Sequence, residues 1–78
     1  NSGVKMFPNP ASDILNIVSN KNAIIYAEIV NTNGAVIKQF YPQNVSFEFS
    51  VKQFEKGLYI IRVYTDAIHH TDNIITVM

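Results

Sequence analysis

Only one stretch of the chain carries residue types that metal chemistry asks for: His69-His70, with Asp66 and Asp72 nearby. Imidazoles and carboxylates are common ligands, so four such groups close in sequence are worth testing. Their spacing argues against a site. Adjacent residues of an extended chain point to opposite faces, so the two rings diverge. Asp66 and Asp72 are turn-formers, and the stretch reads as a solvated turn. Nucleophilic catalysis fares no better. Ser12, Ser19, Ser46 and Ser50 fall in turns or on exposed strand faces, with no histidine and acid beside them in any motif. The 3 glycines are far apart, so no loop cradles a phosphate. The 6 acidic residues are dispersed, with no pair for acid–base work. Asn44-Val45-Ser46 matches a glycosylation acceptor but opens a strand, and reads as coincidence. Tyr26, Tyr41, Tyr59 and Tyr64 are the candidates for a sugar-stacking face. Tyr59 is expected in the core with its hydroxyl on a backbone partner, while Tyr26 and Tyr64 share an outer face. The chain therefore reads as no enzyme, with no catalytic, cofactor-binding or metal residue.

The elements that hold these residues are strands. Eleven Ile and eight Val stand against two Leu. β-branched side chains fit a pleated surface and are stiff in a helix. The 78 residues allow one domain and one modest core. There is no cysteine, so stability comes from apolar burial and strand pairing. Net charge is zero with 15% charged residues, which leaves no basic footprint for nucleic acid. No apolar run approaches a membrane span, and Arg62 interrupts the longest. No signal peptide is visible, and a start at Asn1-Ser2-Gly3 reads as a fragment of something longer.

Gly57-Leu58-Tyr59-Ile60-Ile61-Arg62-Val63-Tyr64 is the strongest strand. Tyr59, Ile61 and Val63 share its core face; Leu58, Ile60, Arg62 and Tyr64 share the other. Before it, Val4–Phe7 is short and stops at the rigid turn Pro8-Asn9-Pro10, which also blocks an edge from pairing. Residues 13–19 form a strand with Leu15 and Ile17 on one face. Residues 23–30 follow, with Ile25, Ala27 and Ile29 opposite Ile24, Tyr26, Glu28 and Val30. Asn33-Gly34 signals a hairpin, because both residues tolerate positive φ. Residues 35–41 return. Val45, Phe47, Phe49 and Val51 alternate with Ser46, Glu48 and Ser50, and Phe54 is expected to plug an end of the core. Asp66-Ala67-Ile68 reads as a turn and residues 69–78 as the last strand. Seven short strands with turns every ten residues or so predict an all-β, single antiparallel β-sandwich. Residues 1–3 read as a linker remnant and 4–78 as the domain.

Four features occur in order. Phe7-Pro8-Asn9-Pro10-Ala11-Ser12-Asp13 leads into Ile14–Ile17. Ile29 to Ile37 turns at Gly34. Phe47–Val51 leads through Phe54 to Gly57-Leu58-Tyr59. Residues 71–78 close the chain. Together, from about Val4 to Met78, they resemble the type A C-terminal sorting domain of the type IX (Por) secretion system. The resemblance implies a compact immunoglobulin-like sandwich that exports a linked upstream cargo and does no chemistry. It implies transit through the periplasm, recognition by the outer-membrane translocon, and a cut before Val4 by a sortase-like cysteine peptidase. Release, or attachment to an anionic lipopolysaccharide at the cell surface, would follow. It singles out Pro8, Asn9, Pro10, Gly34, Gly57, Leu58, Tyr59, Ile74, Ile75, Thr76, Val77 and Met78. Family members often carry a basic residue in the last strand; Asn73–Met78 carries none. Residues 74–78 are the expected direct contact, offering an edge to a partner sheet. Exposed edges also allow a weak homodimer. Two other readings stand beside this one: an accessory immunoglobulin-like module that binds glycan or protein, and a structural spacer. No small-molecule substrate or nucleic acid is expected as partner.

Overall fold

A computed structural model describes residues 3–66 and 70–78. Seven strands run β1 (Val4–Phe7), β2 (Ile14–Ser19), β3 (Ile24–Val30), β4 (Val36–Phe40), β5 (Ser46–Ser50), β6 (Gly57–Thr65) and β7 (His70–Val77). They form a three-stranded sheet, β1-β2-β5, and a four-stranded sheet, β4-β3-β6-β7, with every strand pair antiparallel. The two pack face to face as a small immunoglobulin-like sandwich.

The core forms where the alternation is cleanest. Leu15 and Ile17 project from β2; Tyr59, Ile61 and Val63 from β6; Ile75 and Val77 from β7. All are buried, and they join Val4, Ala11, Ile24, Ala27, Ile29 and Val51 in one cluster. Each large aliphatic side chain removed from water contributes about 1.5–3 kcal/mol. The β6 strand lies between β3 and β7, and so is covered on both edges by ladder bonds. Its glycine has φ +146°, a region that side-chain-bearing residues rarely adopt, so Gly57 serves the backbone.

Three local expectations are corrected. Ile25 does not share a buried face with Ala27 and Ile29. The register shifts between Ile24 and Tyr26, a bulge that turns Ile24 fully inward and leaves Ile25 exposed. Ile24 then exchanges main-chain bonds with Asn44, whose neighbour Val45 accepts from Ser19 of the other sheet. Val45 itself is exposed rather than in line with Phe47. At the hairpin only Gly34 has positive φ (+86°); Asn33 does not. The Asn31 side chain instead accepts from the amides of Asn33 and Ala35, and the Asn31 carbonyl accepts from Gly34. That is a turn followed by one left-handed residue, not a two-residue hairpin. The expected turn at Asp66–Ile68 lies outside the described residues beyond Asp66, and so does His69.

Candidate functional site

The Pro8–Pro10 turn lifts the chain off β1 and carries it across to the other sheet. Phe7–Pro8 and Asn9–Pro10 are both cis peptides. Beyond them Ala11 pairs in parallel with Val77 of β7. The Ala11 amide donates to the Thr76 carbonyl at 2.8 Å, and the Met78 amide donates to the Ala11 carbonyl at 2.9 Å. Proline has no amide to extend this ladder, so a side chain takes over. Asn9 donates through Nδ2 to the Ile74 carbonyl at 3.1 Å and accepts on Oδ1 from the Thr76 amide at 3.0 Å. A carboxamide holds the same donor and acceptor as a peptide group, so Asn9 here stands in for a strand residue. The outer main-chain groups of β7 from the Ile74 carbonyl to the Met78 amide are thus taken by the chain itself. The expected open edge at 74–78 is a strapped edge.

Most of the sequence-selected residues meet at this end of the sandwich. Leu58 lies opposite Thr76, Gly57 opposite Val77 and Tyr59 opposite Ile75. Tyr59 is buried, with its hydroxyl donating to the Glu55 carbonyl as expected. Leu58, on the outer face, sits diagonal to Ile74 and Met78, and these three are 54%, 65% and 62% exposed. Pro8, Asn9 and Pro10 are exposed beside them. Gly34 is not part of this surface. Its hairpin residues Asn31–Asn33 instead face Phe54, Gly57 and Tyr59 across a cleft of about 440 Å³. Position 11 was missed as a site residue, although an alanine after two prolines is the small residue a close strand approach admits.

The outer face of the larger sheet is ordered in two cross-strand rows. In one, Tyr41, Tyr26, Tyr64 and His70 stand side by side with ring centroids 5.1, 5.5 and 5.0 Å apart. The tyrosine pairs are tilted by 51°, so the rings turn toward one another rather than lying flat outward. In the other, Arg62 reaches Glu28 at 3.1 Å and Asp72 at 3.0 Å. The Asp72 bond and charge hold the guanidinium above its ordinary range. Tyr26 donates to Glu28 at 2.7 Å and accepts from Gln39 at 2.9 Å; the Glu28 bond raises its phenol. His70 lies 3.7 Å from Asp72. Among the described residues no three metal-ligating groups converge.

No curated protein matches the chain. The family model for the secretion system C-terminal sorting domain matches residues 5–77, nearly the full length, and the strapped β-sandwich therefore belongs to that family of signals for type IX secretion, which send a linked cargo to the cell surface or beyond.

Proposed function

We propose that the chain is a non-catalytic sorting module read at the end of the sandwich where the strap meets β7. The carrying observation is the set of four hydrogen bonds from Asn9 and Ala11 to residues 74–78. They tie the opening motif to the closing strand, so a machine that reads one reads a folded surface made of both. Leu58, Ile74 and Met78 form an exposed apolar patch beside the β7 edge that Asn9 straps, the kind of patch that marks protein docking. With the edge strapped, the outer-membrane translocon docks on these side chains. Gly57 sets the backbone that holds the patch, Tyr59, Ile75 and Val77 anchor it in the core, and Gly34 shapes a separate hairpin outside it. The domain, residues 4–78, follows its cargo through the periplasm. The sortase-like peptidase then cuts before Val4, and the cargo is released or attached to anionic lipopolysaccharide.

The test is export of a fluorescent reporter carrying a periplasmic signal and fused to residues 1–78, in type IX-competent cells and in the same cells without the translocon. Translocon-dependent appearance outside is expected. The double variant Leu58→Asp/Ile74→Asp changes only exposed side chains and is expected to stay folded and remain in the periplasm. Normal export of that variant overturns the patch. Retention of the folded unaltered fusion overturns the sorting reading in favour of an accessory binding module.

A further inference from the structure

We infer a second docking surface, on the opposite edge of the larger sheet: β4 accepts an extended peptide strand that carries alternating apolar residues and a carboxylate opposite Lys38. Three observations meet there. First, β4 is an edge strand, and among the described residues its outer main-chain groups have no partner. It contains no proline and is covered by no strap, in contrast to the edge at β7. An edge with unpaired main-chain groups templates strand addition, and an inward-leaning lysine on it turns away strands that do not answer its charge.

Second, the side of the sandwich beneath β4 is filled by rings rather than backbone. Phe40 packs on Phe49 at 4.6 Å and on Phe47 at 5.4 Å, and Phe54 continues the row to Tyr59 at 5.9 Å. The four phenylalanines are only partly buried. They leave an apolar floor between β4 and β5, and the cleft lined by Ile37, Phe54 and Tyr59 prolongs it at one end. Side chains on alternate residues of an added strand would cover this floor.

Third, charge selects the occupant. Lys38 is paired in register with buried Ile29, so it leans to the floor side, yet it is exposed and has no ion pair among the described residues. A second copy of the chain added symmetrically about the middle of β4 would set Lys38 against Lys38, which is unfavourable. A carboxylate-bearing strand gains there instead.

The probe is a synthetic peptide alternating valine and threonine with one central glutamate, titrated into the isotope-labelled chain while backbone amides are followed by NMR. Shifts confined to residues 36–40 and the phenylalanine floor are expected. Replacing the glutamate by lysine weakens binding roughly three-fold. In Lys38→Glu, an exposed change whose spectrum verifies folding, the preference reverses. A peptide with a central proline, which cannot complete the ladder, does not bind. Shifts centred on β5 or β7, equal binding of all three peptides, no binding, or a peptide-independent dimer through β4 each overturn the inference.

Discussion

Where β1 gives out beside β7, the sandwich is closed by backbone and carboxamide hydrogen bonds; where β4 stands across from β5, it is closed by a row of phenylalanines. The first closure is directional. Four bonds of 2.8–3.1 Å fix Asn9 and Ala11 to one register of β7 and leave its outer groups occupied. The second is not. Phe40, Phe47, Phe49 and Phe54 touch at ring separations of 4.6–6.4 Å, stay partly exposed, and leave two strand edges above them that are unpaired among the described residues. The difference teaches how a small cysteine-free domain can be specific at one side and adaptable at the other. Hydrogen bonds choose a single arrangement, whereas apolar contact tolerates rearrangement provided area stays covered.

The largest effect is expected where the strapped strand enters the core. Ile75 is 1% exposed and lies opposite Tyr59. Ile75→Ala removes the buried branch and leaves a cavity, a loss of about 3 kcal/mol. For a domain of this size that lowers the melting temperature by on the order of 15 °C. Far-UV circular dichroism against temperature measures it. A shift of only a few degrees would mean that the strap, not the core, holds β7. On the other side, Phe49 touches three further phenylalanines but is partly exposed. Phe49→Ala is expected to cost about 2 kcal/mol, less than a fully buried ring. A loss equal to that of Ile75→Ala would erase the contrast between a seam and a core.

The sequence spoke clearly where one rule governed. Alternation alone marks Tyr59, Ile61 and Val63 of β6 as core, and Leu15 and Ile17 of β2, because a half-buried strand admits only one reading. It was misleading where two rules competed. Ile25 has the right parity, but the bulge at Ile24 overrides parity, and nothing in the residues Ile24-Ile25-Tyr26 announces a bulge. Asn33-Gly34 suggests a two-residue turn, yet Asn31 captures two amides and makes a longer one. The strap was half legible. Pro8 and Pro10 declare a stop, but a bond between residues 67 apart in sequence leaves no local mark on Asn9. The surface proposed for docking was named in the sequence only as a set of motifs, through family resemblance. That the first and last motifs touch follows only from the fold.

The smallest effects sharpen the comparison most. Asn9→Ala removes two side-chain bonds to β7 at an exposed site, a loss of about 1 kcal/mol. Its second signature is local: the Thr76 amide loses its acceptor and exchanges hydrogen faster. Asn9→Asp keeps the acceptor for Thr76 but loses the donor to Ile74, so the Thr76 amide stays protected while part of the stability is lost. The decisive measurement combines the two sides. Among the described residues Asn9 and Phe49 share no hydrogen-bond or ring partner, one acting through β7 and the other through the seam beside β4. If the closures are independent, the double variant Asn9→Ala/Phe49→Ala loses the sum of the single losses, within about 0.5 kcal/mol. A coupling well beyond that would show that straining one side of the sandwich loosens the other. Strap and seam would then be one device, and a strand docking on β4 would be felt by the β7 surface that the translocon is proposed to read.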